Sequence, residues 1–181
     1  MQAELVRRAQ RGDEEAFAAL VPAAAERLLG VASRILRDPS LAEDVTQQAL
    51  LIAWRKLPTL REPERFDAWT YRLVVNACYA ETGRHPFRLT PLRLVNDDAA
   101  IIDSAPQSLE RDRLERGFRK LSVAHRTVVV LHVHVGLPFE EVATILNIPI
   151  GTARSRLHYA LRALRSAIEA DDQATMSRGT A

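Results

Sequence analysis

The sequence predicts an all-α protein of two small helical domains, an N-terminal helix bundle and a C-terminal helix-turn-helix bundle, joined by an irregular linker. Three observations carry this expectation. Apolar residues recur at spacings of three and four along most of the chain, and alternating strand patterns are nearly absent. An interval punctuated by Pro86, Pro91 and Pro106 breaks the helical period between two such regions. Near the C-terminus a short helix, a tight turn and a longer helix follow one another within about 20 residues, as helix-turn-helix units do.

Each element has its own signal. Asp13 can cap a helix running through Phe17 and Leu20 towards Leu36, and Pro22 inside it is expected to kink or split it. Asp38-Pro39-Ser40 reads as a break, and Ser40 with Glu43 reads as a capping box for the next helix, which carries Leu41, Val45, Ile52 and Trp54 to Leu57. Pro58 to Pro63 reads as a loop. Phe66, Trp69, Leu73 and Ala77 then define a helix ending near Gly83. The interval from Arg84 to Gln107 loses the helical period. Its many apolar residues, Phe87, Leu89 and Ile101 among them, predict that it packs on the domains or on a partner.

Beyond the linker, Leu114, Phe118 and Leu121 mark a helix, and Ser122 can cap the next, which ends at Gly136. Its Val128-Val129-Val130-Leu131 run also suits a buried strand, but no partner strand is apparent, so a helix is expected. Pro138 opens a short helix through Leu146, Asn147 to Gly151 form a turn, and a final helix from about Thr152 buries Leu157, Leu161, Leu164 and Ile168. The polar residues from Asp171 read as a frayed tail. The expected division is therefore 1–83, linker 84–107, 108–170 and tail 171–181.

Composition narrows the function classes. Over 181 residues the hydrophobic share is 47% and the charged share 27%, the proportions of an ordinary soluble protein. The net charge of +2 excludes a polycation, so any nucleic-acid surface must be local. A single cysteine, Cys78, excludes an internal disulfide framework and fits a reducing cytosol. No signal peptide is visible, and no stretch approaches the roughly 18 consecutive apolar residues that cross a bilayer, so a cytoplasmic protein is expected. His132 and His134 are two apart and point to different sides of a helix, with no carboxylate cluster near them or His125 to complete a metal site. No phosphate loop or nucleophile elbow is present, and the chain alone is expected to be neither an enzyme nor a cofactor binder.

The second helix of the helix-turn-helix has the chemistry of a groove reader. From Asn147 to Ile168 its charged residues are Arg154, Arg156, Arg162 and Arg165, with no acid among them. Thr152 and Ser155 stand at its N-terminal end, where free N–H groups and the helix dipole favour a phosphate. Arg154, Ser155 and His158 share a face and can reach base edges together, whereas Arg156 and Arg162 suit phosphates. An amphipathic helix with a merely solvated basic face would show much of the same pattern.

The stretches Leu121-Ser-Val-Ala-His-Arg-Thr-Val-Val-Val-Leu131, Leu137-Pro-Phe-Glu-Glu-Val-Ala143 and Ile150-Gly-Thr-Ala-Arg-Ser-Arg-Leu-His158 resemble the C-terminal domain of bacterial extracytoplasmic-function (ECF) sigma factors of RNA polymerase. The resemblance implies that this domain reads the minus-thirty-five promoter element. Ala42-Glu-Asp-Val-Thr-Gln-Gln-Ala-Leu-Leu-Ile-Ala-Trp-Arg-Lys56 is similar to the family's helix for binding core polymerase, which implies that role for Glu43, Asp44, Gln47 and Gln48. Phe66-Asp-Ala-Trp-Thr-Tyr-Arg-Leu-Val-Val-Asn76 looks like the helix that opens the minus-ten element. There Arg61, Arg65, Trp69, Arg72 and Asn76 would hold the melted strand by stacking, base-edge hydrogen bonds and phosphate contacts.

The sequence departs from the family pattern in three places. Ala77-Cys78-Tyr79-Ala80 is uncharged where members carry basic residues, Ala153-Arg154 replaces Val-Lys, and Pro22 interrupts a helix. Core RNA polymerase and promoter DNA are the implied partners, and an anti-sigma factor is left open. Two other readings remain on residues alone: a stand-alone regulator binding operator DNA as a dimer, and a helical protein that sequesters partners. Neither requires the acidic-polar patch at Glu43 to Gln48.

Overall fold

The computed structural model describes residues 1–83 and 116–178, with side chains as far as Glu169. Among these residues the secondary structure is helical throughout, as the periodicity predicts. The expected linker and Leu114 lie outside the described residues.

A first helix, α1 (Gln2–Gln10), stands where no helix is expected from the residue pattern. Only Leu5, Val6 and Ala9 are apolar contacts on it, too few to stabilise a nine-residue helix in isolation. It forms because Val6 and Ala9 are buried beside Leu20, Leu57 and Phe66. The Asp13 carboxylate accepts a hydrogen bond from the Ala16 N–H at 2.9 Å and starts α2 (Glu14–Leu36). Pro22 does not split α2. Ala18, whose carbonyl loses its partner to Pro22, is exposed, as is Pro22 itself, so water can take the freed acceptor. By length and composition α2 is able to cross a membrane, but its Leu20, Leu28, Val31 and Ile35 are buried.

The cap of α3 (Pro39–Lys56) is Asp38, not the expected Ser40–Glu43 pair. The Asp38 carboxylate accepts from the Leu41 N–H at 3.0 Å, and Pro39 takes the first helical position, where its missing N–H costs nothing. Two 3₁₀ turns, Leu57–Thr59 and Pro63–Arg65, lead into α4 (Phe66–Glu81).

In the C-terminal half the chain is helical over 116–119. Ser122 then caps α5 (Val123–Val129) by accepting from the His125 N–H. The valine run is helical, but it widens into a π-turn over Val130–His134, where the Val135 N–H reaches the Val130 carbonyl at 3.0 Å. Helix α6 (Phe139–Leu146) ends at Asn147, whose φ of 50° and ψ of 51° are the left-handed conformation expected there. The Ile148 N–H closes the turn on the Ala143 carbonyl at 3.0 Å. Helix α7 (Ile150–Arg178) begins two residues earlier than expected and continues past Asp171, where a tail was expected.

Two main cores hold the fold. One packs α1 and the start of α2 around Leu57 and Phe66. The other is shared by both halves: Leu28, Val31 and Ile35 of α2, Val45 of α3, and Val74, Val75 and Cys78 of α4 join Val128, Leu131, Val142, Ile145 and Leu146 from beyond the linker. A third, smaller cluster (Leu121, Val129, Ala160 and Leu164) secures α7 to α5.

Candidate DNA and polymerase interfaces

The helix-turn-helix works locally because Ala143 and Ala153 are both buried and small, letting α6 and α7 cross closely. This orients the start of α7 so that Arg154, Ser155 and His158 are exposed on one side, with Arg162 exposed further along. Thr152 is half-buried, and its carbonyl accepts the Ser155 hydroxyl at 3.0 Å. Arg154 is 63% exposed, with its guanidinium 5.6 Å from the centre of the Phe139 ring and 3.9 Å from the Glu140 carboxylate. Arg156 sits differently. It is half-buried, and its charge bears on His125 and Tyr79. Burial, helped by Arg156, holds the His125 imidazole below its ordinary value, so the ring is neutral near pH 7.

Four of the five residues expected at the melted strand come together. Arg61, Arg65, Trp69 and Arg72 line a cleft of about 220 Å³ with Leu60 and Glu62. The Trp69 indole is half-buried, 6.2 Å from the Phe66 ring, so it serves both the core and the cleft wall. Arg65 lies 3.6 Å from Glu62, and all three arginines are exposed. An aromatic wall ringed by guanidinium groups can stack an unpaired base and hold its phosphates. Asn76 is exposed one turn beyond Arg72 and does not line the cleft.

The opposite wall was not foreseen: it is Glu141, Thr144 and Ile145 of α6. They are some 70 positions from Arg72 in sequence, and no local pattern links the two. The segment between Leu57 and Arg65 is itself fastened by α1. The Gln10 amide donates to the carbonyls of Leu57 at 3.1 Å and Leu60 at 2.6 Å, Arg7 pairs with Glu64, and the Gln2 amide donates to Asp67 at 2.7 Å. Asp67 also pairs with Arg27 at 2.5 Å.

On α3, Glu43, Asp44, Gln47 and Gln48 are all exposed, opposite the buried Ala42, Val45, Thr46 and Ala49. Leu51, 52% exposed, lies one turn on and extends this polar face with an apolar side chain. Its position off the buried period was the signal that could have marked it. Among the described residues no group of metal-ligating side chains converges. His132 instead places Nδ1 2.7 Å from the Leu137 carbonyl and stacks on Phe139. Cys78 is buried, and burial pushes its thiol up to about 12, so it stays protonated.

Residues 20–85 match the Sigma-70 region 2 family and residues 117–166 match Sigma-70, region 4. The RNA polymerase sigma-H factor of Pseudomonas aeruginosa is 32% identical, covering 92% of this chain and 93% of the relative. The ECF RNA polymerase sigma factor SigW of Bacillus subtilis is 27% identical over 88% of this chain and 92% of its own. Among solved structures, CnrH in complex with the cytosolic domain of CnrY superposes with a TM-score of 0.69 at 25% identity, covering 94% of this chain and 98% of that one. The chain belongs to the sigma-70 family of RNA polymerase sigma factors, in its ECF class, and acts in transcription initiation.

Proposed function

We propose that the three exposed surfaces divide the work of initiation. The face of α7 bearing Arg154, Ser155 and His158, with Thr152, Arg156 and Arg162 on phosphates, reads the minus-thirty-five element in the major groove. Arg61, Arg65, Trp69, Arg72 and Asn76 receive the melted minus-ten strand, and Glu43, Asp44, Gln47 and Gln48, with Leu51 one turn on, dock on core polymerase. Residues 1–83 and 108–170 form the two working units, tethered by 84–107, so two modest DNA contacts combine into a useful affinity. The chain supplies binding alone, bond formation belongs to the polymerase, and the site of action is the cytoplasm. An anti-sigma protein is a further proposed partner, in keeping with the CnrH structure, which holds a second protein, the cytosolic domain of CnrY.

The observation that carries this reading is the exposure of Arg154, Ser155 and His158 on one side of a helix-turn-helix held by the Asn147 turn. In the free protein α6 forms one wall of the strand cleft, so strand capture requires α6 to move away when polymerase binds. In-vitro transcription with core polymerase on a library of upstream elements tests the assignment. Arg154→Ala is expected to lower upstream discrimination by about 1–3 kcal/mol. Equal loss on every upstream sequence would instead make Arg154 a phosphate contact.

A further inference from the structure

We infer that Phe139 is the positioning residue for Arg154, and that its ring, braced by His132, turns a mobile guanidinium into a base reader. This rests on Arg154 reading bases as proposed above. The brace begins in the backbone. The π-turn ends where the Leu137 N–H bonds the Leu131 carbonyl at 3.1 Å, and this brings the Leu137 carbonyl to 2.7 Å from His132 Nδ1. A carbonyl only accepts, so Nδ1 carries the proton and the imidazole is fixed in plane. That plane lies against Phe139, with ring centres 4.0 Å apart and an interplanar angle of 22°. On Phe139 in turn stands the Arg154 guanidinium, 5.6 Å from the ring centre.

An arginine as exposed as Arg154 has many rotamers and settles readily on the nearest phosphate. Bidentate donation to guanine instead requires the guanidinium plane to meet the base edge in one orientation. The Glu140 carboxylate at 3.9 Å, equally exposed, restrains it weakly. The ring restrains it without competing for its five N–H donors, which stay free for the base. Phe139 therefore acts on discrimination between sequences more than on total affinity, and α6 contributes to reading although its aromatic residue touches no base.

The test uses the full chain assembled with core polymerase, and compares binding to its best library-selected upstream element with binding to a scrambled one. Phe139→Leu is expected to lower that ratio about two- to fivefold, the range of an exposed cation–π contact, while affinity for scrambled DNA and the melting temperature stay close to those of the parent. Phe139→Tyr keeps the ring and is expected to retain the parent ratio. If Arg154→Ala collapses the ratio but Phe139→Leu leaves it intact, the positioning role is overturned and base reading stands. A ratio that Arg154→Ala does not change removes the base-reading assignment itself. Equal losses for Leu and Tyr, accompanied by lower melting temperatures, would assign Phe139 to packing and overturn the inference.

Discussion

On α7, Arg154, Ser155, His158 and Arg162 project from one continuous helix, whereas Arg61, Arg65, Trp69 and Arg72 project from a segment of two 3₁₀ turns and the first half of α4. The first surface is arranged by helical geometry and needs a local brace for only one side chain. The second is arranged from afar: Gln10, Arg7 and Gln2 of α1 fasten the backbone that carries it, and α6 covers it. Groove reading can rest on a preformed helix because duplex DNA has a fixed shape. Strand capture needs a shaped cleft that becomes available only after duplex opening, so a surface both held and covered suits it.

The largest expected effect tests whether the cover is part of the fold. Leu131 is fully buried in the core that joins the two halves, and Leu131→Ala is expected to cost about 2–5 kcal/mol. Both tryptophans lie in the N-terminal half, Trp54 against Phe17 and Trp69 beside Phe66. Trp69 lines the cleft that α6 closes, so Trp54, packed on Phe17 of α2, is the reporter of the N-terminal half in a Trp69→Phe background. If the halves unfold as one unit, the C-terminal substitution lowers the fluorescence midpoint as much as the circular-dichroism midpoint. A fluorescence midpoint that does not move would mean that α6 only rests on the cleft.

A smaller effect separates the two surfaces directly. Gln10→Ala removes the side-chain donor from the Leu57 and Leu60 carbonyls, of which Leu57 keeps the Leu60 N–H at 3.0 Å, and is expected to cost about 1–2 kcal/mol. Polymerase carrying this variant is expected to bind fork-junction DNA with a single-stranded minus-ten element more weakly, with upstream discrimination as in the parent. Parallel loss of both functions would show that α1 supports the whole fold rather than the cleft.

The same contrast decides what could be read in the sequence. Asp13, Ser122 and Asn147 announce their caps and turn through contacts within a few residues, and the structure places all three as read. The α3 cap was misread because Ser40–Glu43 matches a capping box while Asp38-Pro39 supplies a cap two residues earlier. Helix α1 escaped notice because its stability comes from Leu57 and Phe66 rather than from its own composition. The far wall of the cleft escaped for a related reason: Glu141 and Ile145 reach Arg72 only through the shared core. Along α7 spacing alone lines up the face on which Arg154, Ser155, His158 and Arg162 are exposed, whereas the half-burial of Arg156, whose charge bears on His125 and Tyr79, depends on α5 and α4 packing beside it.

The smallest effect concerns the joint between α1 and α2 and is read in acid. Asp13 accepts from the Ala16 N–H, and its other oxygen takes the Arg8 guanidinium at 2.8 Å. The Ala16 hydrogen bond, then Arg8, holds this carboxyl below its ordinary 3.8. A depressed folded value means that the unfolded chain binds the proton first. The stabilisation is therefore complete above that ordinary value and is lost as pH falls through the folded one. Asp13→Asn keeps a cap acceptor but has nothing to titrate, so its melting temperature is expected to fall less between pH 5 and pH 3 (on the order of the carboxylate range) than that of the parent. Because Arg8 and Gln10 share α1, acid should loosen the strand cleft before the groove-reading face. Amide exchange that rises first around Leu57 to Leu60, with α7 still protected, is the expected pattern; simultaneous exchange in α7 would mean that the two surfaces are not independently fastened.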